Sequence, residues 1–252
     1  MSRWCLRAGV VLLVVGAAQG VVLLAGLGGD AAAQEDRSAL VERGRELFLD
    51  SCASCHGEDA RGIPGRAPTL HGAGAAAADW YVSTGRMPLT DPHDEPLRGE
   101  PAYSPRDIAA LVAYAGTLGG PPVPDVDPAR GDVGEGRELF TEHCAGCHQV
   151  VAAGGILTGA KAPPLDRATP TEIAEAVRIG PYVMPAFSER DLSEAELDSL
   201  IAYVQYTKDP DDAGGWGISH LGPFSEGMVT WFAAMLVLVA TCVAIGRRGV
   251  RR

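Results

Sequence analysis

"GRELFLDSCASCHG" (residues 44–57) returns almost unchanged as "GRELFTEHCAGCHQ" (136–149). Its reading decides the fold. Ahead of the first cysteine, Leu40, Gly44, Leu47, Phe48 and Cys52 fall at helical spacing, so Phe48 lies one turn before Cys52 on one face. Val133, Gly136, Leu139, Phe140 and Cys144 repeat that pattern. A glycine inside a helix costs about 1 kcal/mol relative to alanine. Gly44 and Gly136 therefore suggest that another helix packs closely there.

The repetition extends beyond this phrase. Cys52 and Cys144 are offset by 92, "APTL" (67–70) and "APPL" (162–165) by 95, and Met87 and Met184 by 97. The landmarks keep their order while small loop insertions shift the register, the mark of a duplicated domain. We place the copies at 34–120 and 132–210, joined by a linker at 121–131 inside the Pro- and Gly-rich stretch "GGPPVPDVDPARGD" (119–132). Helix starts are expected at Ser104-Pro105 with Asp107, at Thr169-Pro170 with Glu172, and at Ser193 with Glu196, a capping box. No stretch of 34–215 shows strand alternation, so each copy is expected to be a small all-α unit that needs a staple.

Both ends are apolar. Residues 8–27 and 227–246 are uncharged over about 20 positions, enough for a helix to cross the hydrocarbon of a bilayer. Arg3 and Arg7 precede the first, and "RRGVRR" (247–252) follows the second. Positive flanks predict both termini in the cytoplasm and the middle outside. Residues 1–33 are either an anchor or a signal peptide cleaved near "DAAAQE" (30–35); the length of the apolar run favours an anchor. Residues 222–252 form the second span and a basic tail.

The chain carries 21 Lys and Arg against 32 Asp and Glu, a formal charge of −11. Six of those bases and two of those acids lie in 1–33 and 216–252, which leaves 15 bases and 30 acids in 34–215. That acidic middle is either an ordinary solvated surface or a field that steers a basic partner. No basic stripe with interleaved aromatics is present, so nucleic acid is not an expected partner.

"CASCH" (52–56) and "CAGCH" (144–148) carry the chemistry. Two cysteines three apart on one helical turn can form thioethers with the vinyl groups of one porphyrin, and the next histidine reaches the iron; this is the c-type haem attachment signal. Half a zinc site, a thioredoxin-like pair or two disulfides would leave the following histidine unexplained, twice. The expected cofactors are therefore two covalently bound haem c groups, held by Cys52 and Cys55 with His56, and by Cys144 and Cys147 with His148. Only Met87 and Met184 lie in the middle region, 31 and 36 residues after their histidines. Each is either a distal iron ligand or core filler, and matched places in a duplication favour ligation. His71, His93 and His143 are rival ligands, but none has a counterpart in the other copy, and each is expected at the surface. The matched "APTL" and "APPL" segments are either packing turns or the source of a backbone carbonyl that accepts the proximal Nδ1 proton. Two irons closed by His and Met favour electron transfer over peroxide or oxygen chemistry.

The tandem motifs, "TGRMP" (84–88), "VMPAF" (183–187) and the tail "GPFSEGMVTWFAAMLVLVATCVAIG" (222–246) resemble the di-haem cytochrome c subunit of the actinobacterial quinol–cytochrome c reductase, the cytochrome b–c complex. The resemblance implies two class I cytochrome c-like domains between two transmembrane helices. It implies His56 with Met87 and His148 with Met184 as axial pairs. It implies a cytochrome b subunit, a Rieske iron–sulfur subunit and a haem–copper terminal oxidase as partners, with quinol oxidation on another subunit. A membrane-anchored di-haem carrier for another periplasmic dehydrogenase or oxidase is the alternative.

Overall fold

The computed structural model describes residue 34, residues 36–211 and residues 223–250. The first apolar stretch (8–27) lies outside the described residues, as does Cys5. The described chain packs as two compact units. One takes the residues up to Arg130 together with Ala168–Asp198; the other takes Gly131–Arg167 with the residues from Ser199 onward.

The first unit begins with α1 (36–51), which passes through Cys52 into the single turn α2 (Ala53–His56). Next come α3 (Gly74–Ser83) and α4 (Pro105–Thr117). Ser104 caps α4 by accepting from the Asp107 amide at 3.2 Å, with Pro105 at the first helical position. Phe48, Ala53, Ala60 and Leu111 form the core of this unit, with Leu47, Leu70, Val82 and Tyr114 packed around them. Gly44 faces the α4 backbone so closely that a Cβ would overlap the Ala110 carbonyl oxygen. That contact seats Phe48 against Tyr114, ring centroids 5.2 Å apart. Such a helix crossing requires a residue without a side chain.

The second unit repeats the crossing. It uses α5 (Val133–His143), the turn α6 (Ala145–His148), and the part of α8 (Glu194–Lys208) from Ser199 onward. Asp132 caps α5 by accepting from the Glu135 amide at 2.8 Å. A Cβ on Gly136 would overlap the Ser199 carbonyl, and Phe140 meets Tyr203 at 5.5 Å. The Tyr203 hydroxyl donates to the Val150 carbonyl at 2.7 Å.

The expectation of no strands needs correction. Gly155–Leu157 (β1) and Ala160–Ala162 (β2) form a two-stranded antiparallel hairpin, pairing Gly155 with Ala162. In the first copy a single bridge, Ile63 with Ala67, stands at the corresponding place. Three residues separate the bridged positions in the first copy and six separate the paired ends in the second. The three extra residues are the shift in offset from 92 to 95. Strands of three residues carry too little alternation to be read from sequence.

The remaining part of the first unit holds α7 (Pro170–Ile179) against α3. Its start is a full capping box: Thr169 accepts from the Glu172 amide, and Glu172 accepts from the Thr169 amide. Ser193 and Glu196 exchange the same pair of bonds at the start of α8. Finally, α9 (Pro223–Val250) contains Glu226–Arg247, a 22-residue apolar helix with none of its span buried. It is the one helix among the described residues long and apolar enough to cross a membrane. At a helical rise it extends about 33 Å, the thickness of a bilayer core.

Candidate haem centres

Each Cys-x-x-Cys-His group sits where one helix ends and a single turn follows. The Cys52 amide donates to Phe48 at 2.8 Å, and the His56 amide donates to Cys52 at 2.9 Å. The Cys144 amide donates to Phe140 at 2.9 Å, and that of His148 to Cys144 at 2.9 Å. Both cysteines and the histidine of each copy are thus fixed on one continuous turn, anchored to the phenylalanine of the helix crossing. The chain then reverses at Gly57 (φ 78°) and at Gln149 (φ 62°, ψ 158°).

The returning loops are tied in the same way. Gly62 donates to the His56 carbonyl at 2.7 Å, and Gly154 to that of His148 at 3.0 Å. Leu70 donates to Ala60 at 2.8 Å, and Leu165 to Ala152 at 2.9 Å. These ties bring the "APTL" and "APPL" segments beside the histidines. His56 Nδ1 donates to the Pro68 carbonyl at 2.9 Å, and His148 Nδ1 donates to the Pro163 carbonyl at 3.0 Å. Of the two readings open for these segments, the carbonyl acceptor is the one present. With Nδ1 carrying the proton, Nε2 keeps its lone pair for a metal.

The first sulfur of each pair is held as a thiol. Burial, and then the neighbouring Cys55, push the Cys52 thiol up to about 11. Burial, and then Cys147, push Cys144 up to about 11. Burial lowers the His148 imidazole, opposed by its bond to Pro163. Among the described residues no group of three or more His, Cys, Asp or Glu converges to hold a metal ion. The donor set in each copy, two thiols and one imidazole with a free Nε2, suits a thioether-bound haem.

Met87 and Met184 sit on other elements, both half-buried. Met87 lies four residues beyond α3, and its amide donates to the Tyr81 carbonyl at 3.0 Å. Just before it, Gly85 (φ 66°) meets the backbone of Gly99 and Glu100. Met184 lies in the turn after α7, its amide donating to Pro181 at 3.0 Å. The turn leaves α7 through Gly180 in the left-handed region. His71, His93 and His143 are exposed. His71 Nε2 donates to the Asp59 carbonyl at 2.9 Å, and His93 pairs with Asp91 at 3.0 Å.

Sequence reasoning missed one cluster next to Met87. Arg86 is 9% exposed, with its guanidinium 3.9 Å above the Trp80 ring and donating to the Thr84 hydroxyl at 2.6 Å. Burial lowers its pKa, and the nearby Arg98 adds to that. Only the helical spacing of Trp80 and Thr84 hints at this stack, and nothing in sequence marks Arg86 as buried.

A helical turn bearing Cys-x-x-Cys-His, with its imidazole tied to a proline carbonyl on a returning loop, defines a c-type cytochrome, and this chain holds two such turns. Residues 41–119 match the family described as "Cytochrome c", and residues 131–204 match "Cytochrome C oxidase, cbb3-type, subunit III". The chain belongs to the family of cytochrome bc1 complex cytochrome c subunits. It is 36% identical to that subunit of Corynebacterium diphtheriae, over 96% of this chain and 94% of the relative. It is 39% identical to the Mycobacterium tuberculosis subunit, over 86% of this chain and 81% of the relative. A cbb3-type cytochrome c oxidase subunit CcoP of Azospirillum is 32% identical over 68% of this chain and 64% of its own length. The chain is accordingly a respiratory electron-transfer cytochrome with covalently bound haem c, a subunit of an oxidoreductase complex.

Proposed function

We propose that this chain relays electrons from a Rieske iron–sulfur protein to a haem–copper terminal oxidase, as the di-haem subunit of a menaquinol or ubiquinol–cytochrome c reductase. Its two copies, 34–120 and 132–210, each hold one haem. Cytochrome b is the third partner and carries the quinol-oxidising site. The haem-bearing copies stand on the extracytoplasmic side, between an N-terminal span within 1–33 and the span within 222–252, with both termini in the cytoplasm.

Haem iron supplies a one-electron ferric–ferrous couple. The chain's own residues set its conditions. Cys52 and Cys55, and Cys144 and Cys147, tether one porphyrin each. His56 and His148 present Nε2 to the metal, with ring orientation fixed by Pro68 and Pro163. Met87 and Met184 provide thioethers that favour the ferrous state. For Met184 the support is its place in the duplication. The buried crossings at Phe48 and Phe140 hold each ligand turn rigid, which limits rearrangement when the charge on the metal changes.

The observation that carries the reading is the repeated histidine-to-proline bond, set within a likeness that spans nearly the whole chain. Purification in mild detergent tests it. Cytochrome b, a Rieske protein and oxidase subunits are expected to accompany the chain, and a redox titration is expected to show two one-electron steps. A chain that copurifies with a different dehydrogenase, or titrates as a single haem, overturns it. The match of 131–204 to a cbb3-type oxidase subunit favours a second reading, a tethered carrier built into an oxidase. In that case oxidase subunits would appear without cytochrome b.

A further inference from the structure

Glu175, on α7, is 1% exposed, and neither carboxylate oxygen has a hydrogen-bond donor. A buried ion without a donor is costly, and the usual outcome is that the group takes up a proton instead. The Asp79 carboxyl, on α3, lies within hydrogen-bonding reach of it. Two carboxylates offer each other only lone pairs, and one proton turns the clash into a bond.

We propose that Asp79 and Glu175 share a single proton, and that this carboxyl–carboxylate bond latches α3 to α7. Glu175 carries the proton and donates to Asp79, which also has the Ser83 hydroxyl beside it. When the latch opens, the proton leaves to solvent and two facing negative charges remain.

Among the described residues the cations around the pair are engaged elsewhere: Arg86, which feels the charge of Glu172, stacks on Trp80 and donates to Thr84. Glu172, one turn away on α7, adds negative charge. Arg98 is spent on Glu172 in a forked pair at 2.8 Å. Arg178, in the last turn of α7, donates to the Phe187 and Leu192 carbonyls. Burial, and then the charge of Asp79, push Glu175 up from its ordinary 4.5 to about 9. Burial also raises Asp79. A raised carboxyl holds its proton in the folded chain at a pH where the unfolded chain has lost it. The contribution to stability is therefore complete below about 4.5 and is lost as pH rises to about 9.

The latch joins the two helices that lead into Met87 and Met184. Any effect on electron transfer rests on the ligand reading above, whereas the proton site does not. The test uses the full haem-loaded chain in detergent. Infrared spectroscopy of the wild type at neutral pH is expected to show the C=O stretch of a protonated carboxyl, which bleaches as pH rises through the window. Glu175→Gln, which keeps a donor to Asp79, is expected to remove that band. It is also expected to flatten the fall in melting temperature between about pH 5 and about pH 9. Asp79→Asn is expected to move the bleaching to lower pH, since the repelling charge is gone. A wild type without the band at neutral pH, or a band that both variants leave in place, overturns the proposal. The visible spectrum separates this from the functional reading: absence of haem would refute that reading and leave the carboxyl result standing.

Discussion

Replacing Gly44 with alanine demands space that α4 occupies. The new Cβ would overlap the Ala110 carbonyl oxygen, 2.5 Å from its carbon and 2.8 Å from Tyr114 Cβ. Two of these atoms are main chain, so no rotamer change relieves the overlap. Helix α4 must shift, and the Phe48–Tyr114 contact shifts with it. Overpacking costs about 1–3 kcal/mol, and a clash with backbone belongs at the upper end. Alanine returns about 1 kcal/mol of helix propensity, so the expected net loss is about 2 kcal/mol. Gly116 provides the contrast. A Cβ there meets only the Ala75 methyl at 3.6 Å, ordinary contact on an exposed face of α4. Gly116→Ala is therefore expected to stabilise by about 0.5–1 kcal/mol. Urea unfolding of the haem-loaded chain, followed by far-ultraviolet circular dichroism, measures both. The expected order is G44A, wild type, G116A, with the extremes about 3 kcal/mol apart. A G44A midpoint at or above that of the wild type would refute the account of the crossing. Gly136→Ala is expected to behave like G44A, because Ser199 stands where Ala110 does.

Gln149 holds φ 62° and ψ 158°, where the first copy has glycine. Gln149→Gly is expected to relieve about 1 kcal/mol of backbone strain, read as a higher urea midpoint. Arg86→Ala removes the stack on Trp80 and the bond to Thr84 next to Met87. A loss of about 1–2 kcal/mol is expected and, on the proposed di-haem reading, a shift in only one of two reduction potentials; two unshifted potentials would detach Arg86 from the haem proposed at Cys52 and Cys55. Tyr203→Phe leaves the Val150 carbonyl without its donor, and a loss of about 1 kcal/mol in unfolding free energy is expected.

What the sequence makes legible follows from how local the cause is. The Cys-x-x-Cys-His turns are written in adjacent residues, so the haem attachment signal can be read without the rest of the fold. The role of Pro68 and Pro163 was half legible: the duplication marks the segments, but a backbone carbonyl leaves no trace in residue identity. Gly44 and Gly136 announced a close neighbour by being glycine in a helix, without naming Ala110 or Ser199. The β1–β2 hairpin showed only as a shift of three in the repeat offset. The facing of Asp79 and Glu175 was not legible, because it depends on α3 meeting α7 from opposite copies of the repeat. Each residue by itself looks like an ordinary surface acid on a helix.

The hairpin between Gly155 and Ala162 has a consequence for engineering. Both of its feet are pinned, one by the Gly154 bond to His148 and the other by Leu165 to Ala152, while Ile156 within it is 90% exposed. The second copy carries three more residues in this arch than the first, and the histidine-to-proline bond is present in both. An affinity tag or fluorescent peptide spliced between Thr158 and Gly159 should therefore leave the colour of the protein untouched, giving a handle on the second copy alone.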